Sequence, residues 1–295
     1  MTTPTLGRGT AEWAWDQQSR WSQAADAAKA AIVRSRVIVL VLTLVAASAG
    51  TVGSQVDDAW SKVLAGVAAV TLAASSVLIR GTSAKKVAEW TRIRSVSEAL
   101  KAEVYHYQAG VAPYRDANRA DELERRTSGS IDDAGDLVAR SEGFVPVARP
   151  LPAVSDVTSY ARERVEKQLN GYYRPKAKRM RVLAARYVRT ATVASVAVAA
   201  ASALSVAVDA DLSVWVAVVT TFSASLLAFS TAQRYSYQQL EFSRTATQLD
   251  RLLSAFHGAD DPERADRFVA ECERVISVSN EAWMAKQVET DERTP

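Results

Sequence analysis

The sequence predicts an all-α integral membrane protein, with four transmembrane helices arranged as two hairpins and long cytoplasmic helical extensions. Three observations predict it. The apolar residues are segregated into four blocks of bilayer length, a short acidic turn joins each pair of blocks, and Lys and Arg gather on the flanks of the pairs rather than in the turns. The 48% hydrophobic and 23% charged residues of the 295-residue chain look globular only because these blocks are averaged with charged stretches.

Val37 to Val56 is twenty residues without a charge. At about 1.5 Å rise per residue, a helix of that length matches a hydrocarbon core of roughly 30 Å. Trp60 to Ile79 has the same length and carries only Lys62, near enough to its start to reach the headgroups. Asp57 and Asp58 stand between the two blocks. Each would cost about 2.5 to 3.5 kcal/mol at a helix centre in the bilayer, so the pair reads as a turn between spans about 37–56 and 60–79.

The pattern then recurs. Thr190 to Val208 is charge-free, Asp209 and Asp211 form a second acidic turn, and Leu212 to Gln233 is charge-free again, giving spans about 190–208 and 212–233. Trp60 and Trp215 each follow a turn, where amphipathic rings act as interface anchors. The recurrence suggests an internal repeat: a first unit over 1–126, a linker over 127–155 and a second unit over 156–295. The third block is the weakest, since TVASVAVAAASALSVAV holds only six Val or Leu residues and a buried soluble helix could share its composition.

Orientation follows from the basic flanks. Lys29, Arg34 and Arg36 precede the first block, Arg80, Lys85 and Lys86 follow the second, RPKAKRMR with Arg186 and Arg189 precedes the third, and Arg234 follows the fourth. The positive-inside rule then makes this a multi-pass protein of the cell membrane with both termini and the middle segment cytoplasmic. The start, MTTPTLGRGTAEWAWDQQ, lacks the apolar core of a signal peptide. RPKAKRMR would attract phosphate, and beside a span this favours anionic lipid or topogenesis over a nucleic-acid partner.

Within the blocks, Ser195, Ala199, Ala203 and Ala207 recur every four residues, and Ala46 with Gly50 and Ala49 with Gly53 repeat the spacing. Such small faces let helices approach closely, either at an oligomer seam or inside one subunit. No ionisable residue falls inside a span away from its ends, which argues against a proton relay, a voltage sensor or a charge-coupled transporter. A pore wall would be built from hydroxyls, with Thr71, Ser75, Thr220 and Ser223 as candidates; alternatively these hydroxyls bond their own backbone carbonyls.

The extensions are amphipathic. Val87, Trp90, Ile93, Val96, Leu100, Val104 and Tyr107 recur three or four apart after the second block. Near the C-terminus Gly258 is a helix stop, Asp261 an N-cap and Pro262 a first helical residue, ahead of a face of Phe268, Val269, Cys272, Val275, Ile276 and Trp283. The Gly-, Ser-, Asp- and Pro-rich stretch TSGSIDDAGDLVARSEGFVPVARPLPAVSD reads as a linker or a partly extended crossover that could dock on the helices.

Chemistry has little to stand on. One cysteine and two distant histidines, His106 and His257, provide neither a disulfide nor a metal motif, and no cofactor-binding loop or nucleophile elbow is present. Cys272 reads as a core residue. Glu98, Glu103 and His106 fall near one another on one helix, as a cytoplasmic site or as a salt-bridged face.

The stretches SEALKAEVYHYQAGVAPY, SYARERVEKQLNGYYRPKA and ERVISVSNEAWMAK resemble those of the SLATT family, two-transmembrane effector domains associated with SMODS nucleotidyltransferases and SLOG nucleotide-sensing domains. The resemblance covers nearly the whole chain as a tandem pair. It implies a bacterial effector of conflict or defence systems that forms pores or perturbs the membrane once a nucleotide signal is sensed. No fused sensor or nucleotidyltransferase domain is read in the chain, so the trigger would come from a nucleotide-sensing or other cytoplasmic partner, or from a ligand at the cytoplasmic helices. The expectation is therefore a non-enzymatic homo-oligomer in the lipid bilayer that conducts ions, the alternative being a membrane-anchored scaffold that recruits a partner without conducting.

Overall fold

The computed structural model describes residues 9–54, 56, 59–79, 83–208, 213–233, 235–256, 258 and 261–291, without the side chains of 201, 204–208, 213–218, 228, 232, 233 and 278–291. The predicted turn residues Asp57, Asp58, Asp209 and Asp211 lie outside these residues, as do the side chains of Ala207, Trp215 and Trp283. The protein is all-α, with no strand among the described residues. The helices are α1 (Thr10–Gly53), α2 (Ala59–Ile79), α3 (Ala84–Ala109), α4 (Arg119–Asp132), α5 (Val138–Glu142), α6 (Val157–Tyr160), α7 (Arg174–Val208), α8 (Ser213–Gln233), α9 (Tyr235–Ala255) and α10 (Pro262–Asp291). Two π-helical stretches, Ala161–Glu166 and Leu169–Tyr173, carry α6 into α7.

Among the described residues, three helices are long and apolar enough to cross a membrane: Thr10–Gly53, Ala59–Ile79 and Val157–Ala200. The fourth predicted block forms α8, 21 residues long. The chain divides into two compact units. These are a division in space, different from the sequence repeat: the first spatial unit, hereafter the first unit, comprises Met1–Ala30, Ala84–Ala177 and Leu240–Pro295, and the second Ala31–Ser83 and Lys178–Gln239.

In the first unit α3 buries Val87, Trp90, Ile93, Leu100 and Val104, the stripe expected from their spacing, while Val96 and Tyr107 are half-buried. Helix α10 packs along α3 and buries Phe268, Val269, Cys272, Val275 and Ile276. Aromatic edges stitch the helices together: Trp15 meets Tyr105 at 6.3 Å, Tyr105 meets Tyr160 at 6.2 Å, and Tyr160 meets Phe268 at 6.3 Å. Each such pair adds about 0.5 to 1.5 kcal/mol beyond the area it buries. Caps fix where helices begin. The Asp156 carboxylate accepts the Ser159 N–H at 2.7 Å while the Ser159 hydroxyl accepts the Asp156 N–H at 3.1 Å. Asp261 accepts the Glu263 N–H at 2.9 Å, with Pro262 at the first helical position and Gly258 at φ +110° behind it.

The stretch 127–155 differs from a free linker. Residues 127–132 complete α4, whose Leu123 and Thr127 are fully buried, so tertiary packing holds a helix that its Ser- and Gly-rich end would not sustain alone. Beyond α5 the backbone lies extended against the start of α1. The Gln23 amide donates to the Val145 carbonyl at 2.8 Å, the Val147 N–H to the Ser19 hydroxyl at 3.0 Å and the Trp15 indole to the Pro150 carbonyl at 3.1 Å. The Arg149 guanidinium covers the Trp15 ring at 3.7 Å.

In the second unit small residues set the approach of α1 to α2. A Cβ on Gly53 would lie 3.1 Å from the Leu64 Cβ, and one on Gly50 4.0 Å from the Ala68 Cβ. Ala46 and Ala49 are buried beside them. Tyr187 of α7 meets Phe229 of α8 at 5.8 Å and stacks on Tyr235 at 5.5 Å. Apolar side chains remain uncovered elsewhere: Val70 is 69% exposed, Val77 63% and Val196 63%.

Candidate functional site

The first unit is organised around a buried ion pair that the sequence did not reveal. The π-helical turns widen the stripe that faces the core, so that Tyr160, Arg164, Val165, Leu169 and Tyr173 are all buried. Arg164 holds Glu273 of α10 through two hydrogen bonds of 2.8 Å each, and the Tyr160 hydroxyl donates to the same carboxylate at 2.9 Å. The guanidinium also lies 4.6 Å from the centre of the Tyr105 ring. Burial opposes charge on both partners. Their mutual attraction nevertheless holds Arg164 above its ordinary value and Glu273 below its own. Burial, with Glu273 nearby, pushes the Cys272 thiol well up, so it is a protonated core group rather than a nucleophile.

An open cleft of about 530 Å³ lies beside this pair, lined by α3, α4 and α10. Glu98, His106, Glu273, Asp133 and Arg274 face it, together with serines. Glu98 and His106 are thus brought to one cavity. Glu103 is not: it takes the Tyr114 hydroxyl and lies 3.6 Å from Arg126 of α4, on another side of α3. Glu98 itself is paired with Arg94 at 2.6 Å. The arrangement brings general acid–base residue types together in one cavity. Among the described residues no group of three His, Cys, Asp or Glu side chains is placed to hold a metal ion.

The span candidates are placed as follows. Thr71 donates to the Val67 carbonyl at 2.8 Å, Ser75 to that of Leu72 at 2.7 Å and Ser195 to that of Ala191 at 2.9 Å. These hydroxyls are closed onto their own helices. Ser223 differs, since its hydroxyl is buried and has no hydrogen-bond partner among the described residues. Thr220 is exposed, as are Ser195, Ala199 and Ala203 on α7. From Ser195 to Ala203 the small-residue face of α7 is therefore left uncovered by the described residues. Trp60 is 69% exposed at the start of α2.

Comparison with known proteins brings two family matches. Residues 160–283 match the SMODS and SLOG-associating 2TM effector domain 1, SLATT_1. Residues 19–122 match the family of unknown function DUF4231. Neither a curated protein nor a solved structure matches the chain.

Proposed function

We propose that the chain is a multi-pass membrane effector of a bacterial conflict system, in which helix–hairpin–helix units assemble through their spans into an oligomer that conducts ions or breaches the bilayer. Support for the effector role comes from the SLATT_1 domain at 160–283. The observation that carries membrane residence is the uncovered apolar surface of the three long helices, whose most hydrophobic windows are only 11%, 6% and 6% buried within the chain. In water such a surface would drive aggregation at about 25 cal/mol for each Å² left exposed, whereas acyl chains cover it without that penalty.

On this reading α1 with α2 and α7 with α8 are antiparallel hairpins, both termini are cytoplasmic and the chain is a tandem pair. The approach of Gly53 to Leu64 and of Gly50 to Ala68 supports the first hairpin, and that of Tyr187 to Phe229 the second. The exposed row of Ser195, Ala199 and Ala203 is the subunit seam, because small residues gain packing in lipid only when a second helix covers them. Reconstitution into liposomes loaded with a potassium-sensitive dye tests the conducting role. Flux that rises with protein density is expected, and vesicles that stay tight at every density and pH would overturn it.

One observation favours a second reading, a membrane-anchored scaffold without conduction. The hydroxyls of Thr71, Ser75 and Ser195 are spent on their own carbonyls and so offer less to a permeating ion. Capture of a soluble partner by the first unit from tight vesicles would support this alternative.

A further inference from the structure

A second cleft in the first unit, about 360 Å³, is built by α3 and the two π-helical stretches. Four cationic side chains line it, Arg94, Lys101, Arg164 and Lys167, against two carboxylates, Glu98 and Glu163. Three of the four cations are already engaged. Arg94 pairs with Glu98 at 2.6 Å, Lys167 with Glu163, and Arg164 with Glu273. Lys101 has no ion pair or hydrogen bond among the described residues, although it is partly buried. Burial, followed by the charge of Arg164, brings its ammonium down to about 8, so at neutral pH it is still mostly protonated.

The carboxylates of Glu98 and Glu273 favour that charge from a distance, but each is bonded to an arginine and neither is bonded to Lys101, so the half-buried ammonium keeps a cost that a bound anion would offset. Simple repacking would favour an apolar side chain here. The surplus donors around it are also specific in kind. Lys101 carries three N–H groups, Arg94 keeps donors beyond those turned to Glu98 and, at 3.8 Å, to Asp26, Lys167 keeps donors that Glu163 does not use, and Gln168 adds an amide. Donors on several sides of one small cavity fit a tetrahedral anion, whose oxygens accept in several directions, better than they fit a carboxylate or a halide. The volume sits at the low end of small-molecule pockets, enough for a phosphate with a short organic substituent.

From this geometry we infer that the cleft is a phosphate-binding site, with Lys101 as its principal charge and Arg94, Lys167 and Gln168 as supporting donors. The ligand is a free phosphate or phosphomonoester, or the phosphate of a lipid headgroup. The inference goes beyond the effector reading and stands whether or not the protein conducts.

The full-length chain in uncharged detergent micelles is titrated at pH 7 with inorganic phosphate in one arm and short-chain phosphatidylglycerol in the other. Phosphatidylcholine serves as the lipid blank, and heat and Tm are followed. Saturable binding is expected in at least one arm, weakened tenfold or more in Lys101→Met, kept within a few-fold in Lys101→Arg and unchanged in the exposed control Arg264→Gln. Binding of phosphate alone assigns a soluble ligand, and binding of the anionic lipid alone assigns a headgroup. Absence of saturable binding to wild-type protein in both arms overturns the inference, as does equal affinity in Lys101→Met. Because that variant removes an unpaired charge, its own Tm should be unchanged or higher, which separates lost binding from lost folding. If it nevertheless fails to fold, the wild-type titrations and Lys101→Arg decide.

Discussion

Single residues in the first unit differ sharply in what their charges do. Glu273 and Arg164 offset one another in full burial, so Glu273→Gln leaves a guanidinium without its anion and is expected to cost about 3 to 5 kcal/mol in urea unfolding. Replacing both partners by apolar residues, Arg164→Met with Glu273→Leu, should recover most of that loss. A double variant as unstable as the single one would contradict the pair's dispensability. Lys101 works in the opposite direction. Its folded value of about 8 lies below the ordinary 10.5, so below pH 8 both states carry the proton and the penalty is constant. Between pH 8 and 10.5 the unfolded chain holds the proton longer, and stability should rise across that window, by no more than about 3 kcal/mol. The raised tyrosines, such as Tyr160 and Tyr105, act oppositely and only above about pH 10. Subtracting the Lys101→Met curve isolates the lysine, and a difference that is flat from pH 8 to 10 would contradict its assignment. The sequence could group Glu98, Glu103 and His106 only by proximity. At 3.6 residues per turn Glu103 stands roughly 140° around the helix from Glu98, which is why the structure sends it to Tyr114 and Arg126 instead. Arg164 and Glu273 are 109 residues apart, and no local pattern announces such a partnership.

At the scale of elements, periodicity and caps carried most of the fold. Most of the apolar stripe of α3, and the Phe268 to Ile276 part of that of α10, are buried where spacing puts them, and Asp261 and Pro262 open α10 as their chemistry requires. Asp261→Ala should cost about 1 kcal/mol through the loss of its bond to the Glu263 N–H, read as a lower thermal midpoint of the first unit. No change would mean that packing alone sets the start of α10. Helix α4 and the π-helical stretches were not legible. Helix α4 owes its C-terminal turn to Leu123 and Thr127 buried against other elements, and a π-turn changes the period on which sequence reading depends. Glycine spacing was informative in α1. A Cβ on Gly53 meets that of Leu64 at 3.1 Å, so Gly53→Leu should loosen α1 from α2 and lower Tm in detergent, while Gly66→Leu, where a Cβ meets nothing within 4 Å among the described residues, should not.

Across the whole molecule the decisive feature is how the apolar residues are partitioned. The first unit buries most of its aromatic and aliphatic side chains in a core, with exceptions such as Val145 and Val147, whereas the long apolar helices leave most of theirs open within the chain. That partition was visible in the sequence as blocks and flanks, because insertion depends on local composition. The pairing of clefts, cations and carboxylates was not visible, because it depends on which helices meet. The bilayer reading also fixes a side for each acidic turn. Cys272 is buried in the core of the first unit, so a thiol introduced at position 57 can be reported against a quiet background. The most direct measurement is labelling of Asp57→Cys in intact cells with a membrane-impermeant thiol reagent. Labelling from outside without permeabilisation, and none in wild type, is the expected result; labelling that appears only after the membrane is opened would contradict the outward-pointing hairpin on which the proposed function rests.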